Sequence, residues 1–483
     1  MGIQSVSGGC YQPLDPGQVQ TVHQAGLSLL EDVGVGYEPG LSEAVDVMVQ
    51  AGARLDTEKR KVYLPRELVE RSLAKAPSQV ILFSRNGDYD LDLTEHAVHL
   101  GTGGAAIRIL DLETGQARST TLSDLYSLGR LVDQLQNISF FLRPCIPTDI
   151  PDTAYDINVF YTCFKSTAKH VMAGVNNEQE LYKVLNLAAE LAGSVQAVQE
   201  KPFFSIITSF IISPLKLSTL PVKIMLECVK NGIPVALSGA PMAGSTSPLT
   251  MAGTLAQCHA EQMAGITLCQ LIQPGAPLLY GGIPSRADLK TMNYCGGAVE
   301  CGMMNAAIHQ LAHHLQVPNY NSSGLSDSKV PDAQAGWEKG MTTLLAAMGG
   351  SNYVHHAAGM LESMLGLAYE QFVLDDEIIG MTRRVLQGIA VDAEHLAQEV
   401  IKEVGAGGEF MTADHTFNHM YDEYYLGNGI TDRSGRPTWE RAGGLDAWMR
   451  ARQMVKTILS KPEKSYIPED VDTRIREKYS ILL

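Results

Sequence analysis

The chain is predicted to be an α/β protein built on a (β/α)8 TIM barrel, with an N-terminal helical/β cap and a C-terminal helical extension. Three observations predict this. Between residues 97 and 358 one pattern recurs eight times: a short β-branched or aromatic run, a small-residue turn, then a helical stretch. The runs start roughly 30–45 residues apart, the length that a strand, a crossover helix and two loops require. Eight such units over about 260 residues match the size of a closed barrel.

The first 95 residues precede the repeats. PGQVQTVHQAGLSLLEDVG and LSEAVDVMVQAG read as amphipathic helices ended by glycines at stop positions. A short hairpin follows in TEKRKVYL, then a third helix from Pro65, a residue favoured in a first turn. SQVILFSRNGDYDLDLT reads as extended segments around the turn Arg85-Asn86-Gly87-Asp88. Residues 1–95 are therefore expected to cap one end of the barrel.

The barrel is assigned to residues 96–360. Its strands are expected in AVHLGTGG (97–104), ISFFLRPC (138–145), KHVMAGV (169–175), FFSIITSF (203–210), IPVALSGAPM (233–242), APLLYGGIP (276–284), VPNYNSSG (317–324) and NYVHHAAG (352–359). Residues 361–483 form the extension. From 360 to 404 the apolar spacing predicts continuous helix. A glycine-rich break at 405–408, the HTFNH segment and a polar amphipathic tail from about 445 complete the chain.

Composition narrows the function. With 483 residues, 45% hydrophobic and 19% charged, the chain reads as an ordinary globular protein. Neither an apolar run long enough to span a membrane nor a secretory signal pattern at the N-terminus is evident, so a cytoplasmic protein is expected. A formal net charge of −16 argues against nucleic acid, whose phosphates need concentrated Lys and Arg. The eight cysteines contain no CxxC and read as buried free thiols.

Barrel enzymes place their chemistry at the C-terminal ends of the strands. Here those ends offer Gly101 to Gly104, Arg143, Thr208 to Phe210, Ser238-Gly239, Tyr280 to Gly282, Asn319 to Ser323 and His355-His356. Paired strand-end carboxylates are missing, which disfavours glycoside hydrolysis. Neither a strand-end lysine for a Schiff base nor a GxSxG elbow appears. GTGG does not complete a GxGxxG fingerprint. As metal ligands, His313-His314, His355-His356 and the i, i+4 pair His415/His419 are possible, yet no third ligand can be named and no metal is assigned. Strand alternation predicts that only one of His355 and His356 faces the barrel interior.

Several stretches together resemble the trimethylamine methyltransferase family of corrinoid-dependent enzymes. They are SGAPMAGSTSPLTMAGTLAQCHAEQMAG (238–265), GLSDSKVPDAQAGWEKG (324–340), GGAVECGMMNAAIHQLAHHLQVPNY (296–320) and NYVHHAAGMLESMLGLAYEQFVLDDE (352–377), with LLEDVGV and LFSRNGDYDLDL nearer the start. The resemblance spans nearly the whole chain. It implies methyl transfer to the Co(I) of a corrinoid carried by a separate protein, and a homo-oligomer. No cofactor is then bound by this chain itself.

Archaeal members carry pyrrolysine at or beside the position of Leu325. The standard residue here places the chain with the pyrrolysine-lacking branch. Its resemblance implies a quaternary amine: glycine betaine first, with proline betaine, carnitine and γ-butyrobetaine as alternatives. A corrinoid-protein binding module without turnover is the alternative of another class. On this reading the trimethylammonium is expected among Tyr89, Phe210, Tyr280, Tyr320 and Tyr353. The carboxylate is expected near Arg108, Arg143, Arg286 or the Gly103 and Gly104 amides. Asn321 and Leu325 complete the substrate set, and His355 and His356 are the expected catalytic residues.

Overall fold

The computed structural model describes residues 6–483 as a mixed α/β fold. All eight predicted strands are present: β1 (Ala97–Thr102), β2 (Phe141–Leu142), β3 (Val171–Ala173), β4 (Phe204–Thr208), β5 (Val235–Gly239), β6 (Leu278–Gly282), β7 (Tyr320–Ser322) and β8 (Tyr353–Ala358). Each is followed by a helix: α1 (Leu122–Gln134), α2 (Tyr155–Ser166), α3 (Glu178–Ala192), α4 (Thr219–Lys230), α5 (Met251–Ile272), α6 (Val299–His314), α7 (Ala333–Gly349) and α8 (Tyr369–Gln387).

The strands lie in two parallel sheets rather than one continuous ladder. β2 to β6 pair in order in one, while β7, β8 and β1 pair in the other, where Val6–Ser7 adds an antiparallel edge. Two seams join the sheets. At one, Tyr280 of β6 bridges Asn319, just before β7. At the other, the Ser139 N–H donates to Leu100 O at 2.8 Å.

Local sequence accounts for the helices. Thr121 and Asp124 form a reciprocal capping box at the start of α1. Asn177 and Asp332 cap α3 and α7, which end at Gly193 and Gly350, both at positive φ. α5 is buried on every face because strands flank it on one side and N-terminal helices on the other. A helix in that position carries no polar stripe.

The N-terminal helices Pro16–Ser28, Ser42–Gln50 and Arg66–Leu73 all pack on α5. The hairpin Gln79–Leu82 and Leu91–Thr94 packs against the strands. Its Val80, Leu82, Leu91 and Leu93 enter one core with Phe140, Leu142, Met172, Ala236, Leu279, Tyr320 and Tyr353 from the strands. Two histidines hold the hairpin backbone: His170 Nδ1 lies 2.7 Å from Phe83 O, and His99 Nε2 lies 3.1 Å from Asp92 O. Burial pushes both imidazoles down to about 4, so they act as neutral donors. The hairpin thus lies near the end where the strands begin. Leu93→Ala is expected to cost about 2 kcal/mol, at the low end for a buried leucine because the solvent-facing hairpin can settle into the space. Urea unfolding checks this, and a loss under about 0.5 kcal/mol would mean that the hairpin rests loosely.

The expectation of continuous helix from 360 to 404 is corrected. Met360–Leu361 and Gly366–Ala368 are extended, and Gly366–Ala368 pairs with Arg108–Leu110. Gly388 (φ 69°) ends α8, and helix resumes only at Gln398–Val404. Further on, the helix Ala447–Leu459 packs on α8 and α1, and Glu469–Lys478 on α3. No helix among the described residues is long and apolar enough to cross a membrane.

Candidate active site at the strand ends

β8 does not run regularly to its end. Its register against β1 shifts between Val354 and Ala358, and His356 adopts a left-handed φ of 68°. This irregularity overturns the expected alternation. Both imidazoles come to lie together, with ring centroids 3.8 Å apart. A side chain at Gly103 has no room beside them, since a Cβ there would sit 2.8 Å from His356 N and 3.0 Å from His355 Nδ1. Gly104, at φ 116°, faces Met360 and the edge of the His356 ring in the same way.

Partners fix the two rings differently. His356 Nδ1 is 2.7 Å from Ser322 Oγ. His355 stacks on Tyr320 at 4.1 Å and 12°, with its Nδ1 3.4 Å from the Tyr320 hydroxyl. His355 Nε2 is buried without a partner among the described residues. Burial holds both imidazoles neutral. It pushes His356 down to about 3, with the nearby Lys339 charge adding to the effect, and drives His355 well down too, with His356 adding.

Below the histidines runs an aromatic column. Tyr320 and Tyr353 stack at 6.0 Å, and Tyr353 lies on Phe140 at 3.6 Å and 14°. The Tyr353 hydroxyl is a second buried polar atom without a partner. Such groups cost stability unless something completes them, so each is a place for a polar partner.

Of the residues expected from sequence, the fold therefore brings together Gly103, Gly104, Tyr320, Tyr353, His355 and His356. Leu325 is buried against Gly296. Others are elsewhere. Phe210 packs on Gly265 of α5, and the Tyr280 hydroxyl lies 2.9 Å from His259 Nδ1 on the same helix, so both face the helical layer. Asn321 likewise turns outward and donates to Asn305 O of α6 at 3.0 Å. Tyr89 sits near the hairpin turn, with the Lys169 ammonium 5.5 Å above its ring, at the opposite end of the strands. Arg108 is taken by Glu362 at 2.7 Å, Arg143 donates to the Tyr155 hydroxyl at 2.8 Å, and Arg286 pairs with Glu300 at 3.2 Å.

The sequence reading missed a buried ion pair behind the site. Lys339 of α7 and Asp375 of α8 lie 3.2 Å apart with neither side chain exposed. The ammonium also donates to Gly324 O and Met360 O, carbonyls that end β7 and follow β8. A lysine and an aspartate on two otherwise inward-facing helices were the available signal. Ser322, inside the strand end Asn319 to Ser323, had been given no role of its own. A cavity of about 560 Å³ opens outside the strands between α7, α8 and the segment carrying Trp448 and Arg450. The strand ends are preferred because His355 Nε2 and the Tyr353 hydroxyl are buried there without partners among the described residues.

His415 and His419 share a helix face as their spacing predicts, with ring centroids 4.5 Å apart, away from the strands. His313 and His314 diverge, one toward His96 and the other toward His23.

Comparison with known proteins adds a chain-wide likeness. The profile of the trimethylamine methyltransferase (MTTB) family matches residues 4–480. A trimethylamine methyltransferase MttB of Desulfitobacterium hafniense is 34% identical over 475 residues, covering 98% of this chain and 95% of that protein. A glycine betaine methyltransferase of Desulfitobacterium hafniense is 33% identical over 470 residues, covering 97% and 95%. Trimethylamine methyltransferase MttB of Methanosarcina barkeri is 32% identical over 460 residues, covering 94% and 92%.

Proposed function

Since the chain belongs to the trimethylamine methyltransferase family, we propose that it moves a methyl group from glycine betaine to the Co(I) corrinoid of a separate protein. The match over residues 4–480 carries the reading of methyl transfer from an amine. The choice of a quaternary amine rests on Leu325, a buried apolar side chain that offers no group to add to a free amine. We infer, further, that the eight strands act as a (β/α)8 barrel whose open mouth is the end bearing His355 and His356.

The chemistry asked of the chain is modest. A quaternary ammonium departs as a neutral tertiary amine, so no acid has to protonate it. Two histidines held neutral by burial suit a reaction without proton transfer. The corrinoid, brought as a co-substrate, receives the methyl. The chain holds the betaine in line with it, an orientation effect worth up to about 7–11 kcal/mol in well-aligned reactions. Tyr320 and Tyr353, stacked in one column with His355 and Phe140, wall the space for the trimethylammonium. His355 Nε2–H donates to the carboxylate, which gives that unpartnered atom its acceptor.

The test combines the protein with a Co(I) corrinoid protein and glycine betaine, following dimethylglycine and the corrinoid spectrum. We expect dimethylglycine, with kcat/KM flat from roughly pH 6 to 8 because neither histidine titrates there. A step near pH 6.5 would overturn the proton-free reading. No turnover with glycine betaine, proline betaine, carnitine or γ-butyrobetaine would overturn the proposal, and capture of a corrinoid protein without turnover would favour a binding module.

A further inference from the structure

At the end of the strands opposite His355 and His356, six histidines gather. They fall into two groups. His23 Nδ1 lies 3.0 Å from His259 Nε2, and His314 packs on the His23 ring. The second group is His96, just before β1, with His309 and His313 at i, i+4 on α6. Their donor nitrogens all lie within 4.8 Å of one another.

We propose that His96, His309 and His313 bind a divalent transition metal of the zinc class, tying the N-terminal segment to α6. The orientation of His309 is the first argument. Its Nδ1 is 2.9 Å from Asn319 Oδ1, and the same oxygen accepts the Asn352 N–H at 3.0 Å. A backbone N–H can only donate, which fixes that atom as the amide oxygen, so His309 Nδ1 carries the hydrogen and Nε2 keeps its lone pair. That lone pair points toward His96 Nδ1, 2.9 Å away. A ligand histidine typically has its second nitrogen held in this way by a carbonyl or carboxylate oxygen.

The backbone leaves space in front of these donors. A Cβ at Gly350 would lie 2.9 Å from His96 Nδ1 and 3.0 Å from His309 Nε2, and one at Gly9 would press on the His96 ring. Beside them a cavity of about 210 Å³, lined in part by Gln12, Gln310 and His313, leads outward. His309 is buried, His96 half-buried and His313 exposed, which leaves a fourth position for water.

Ligand chemistry selects the ion. Three imidazoles without a carboxylate suit zinc, cobalt or nickel over calcium or magnesium. Around tetrahedral zinc, donor nitrogens sit about 3.3 Å apart, so the trio has to draw in by about 1.5 Å at its widest. Rotation of the exposed His313 can supply that movement. The site would fasten Gly8, whose N–H donates to His96 O, and the Val6–Ser7 edge strand beside it.

The test uses untagged full-length protein, loaded with Zn²⁺ or Co²⁺, gel-filtered and measured by mass spectrometry for metal. We expect about one zinc per chain, and a cobalt form with a visible band of low-symmetry coordination. His313→Ala should cut the content at least tenfold and remove the band, while methyl transfer and the His314→Ala content stay unchanged. Less than about a tenth of an equivalent in the wild type, or equal content in His313→Ala, overturns the proposal and leaves His96 and His309 as a hydrogen bond alone.

Discussion

Asp375→Ala is expected to destabilise the protein by about 3–5 kcal/mol, because it leaves the Lys339 ammonium buried without its counter-charge. Burial pushes the Asp375 carboxyl up to about 6 and lowers Lys339, so desolvation outweighs the attraction at both partners. Asp375 also accepts the Gly359 N–H at 2.7 Å and the Gln371 amide at 2.9 Å. Its loss therefore frees the turn after β8 as well as the lysine. The double variant Lys339→Met, Asp375→Leu removes both charges and should be far milder than Asp375→Ala alone. Urea unfolding followed by circular dichroism reads both. If Asp375→Ala costs under about 1 kcal/mol, the pair does not hold these strand ends.

His355→Phe is expected to lower kcat/KM for glycine betaine by about 100-fold, the scale of a lost charge-assisted hydrogen bond in a dry site. Phenylalanine keeps the stack on Tyr320 and removes Nε2. Because the carboxylate is remote from the departing methyl, most of the loss should appear as raised KM. Thermal unfolding should move by no more than about 2 °C. A change in kcat/KM of less than threefold, with the fold intact, would remove His355 from substrate binding.

The strands were legible because β-branched runs ending in small residues are a local pattern, and all eight were found within the predicted segments. Less visible was which side chains face inward. Parallel strands flanked by helices are apolar on both faces, so a run such as FFSIITSF carries no polar–apolar alternation to set its register. Phe210 and Tyr280 consequently turned toward α5, while Tyr320 and Tyr353 turned inward. The placing of His356 beside His355 depends on a bulge and a left-handed residue that neither imidazole announces. Gly366–Ala368 failed as helix for a related reason. Its partner strand, Arg108–Leu110, lies over 250 residues earlier in the chain, beyond the reach of any periodicity.

The hairpin held by His99 and His170 has a kinetic consequence. In the proposed barrel, an interior closed at its base is filled and emptied through one doorway. On the proposed reaction, the amine product lies beneath the methyl acceptor and cannot diffuse away until that partner undocks. Turnover is then last-in, first-out: betaine before corrinoid protein, methylated partner before dimethylglycine. Saturating corrinoid protein should accordingly slow the cycle by occupying the doorway ahead of the betaine.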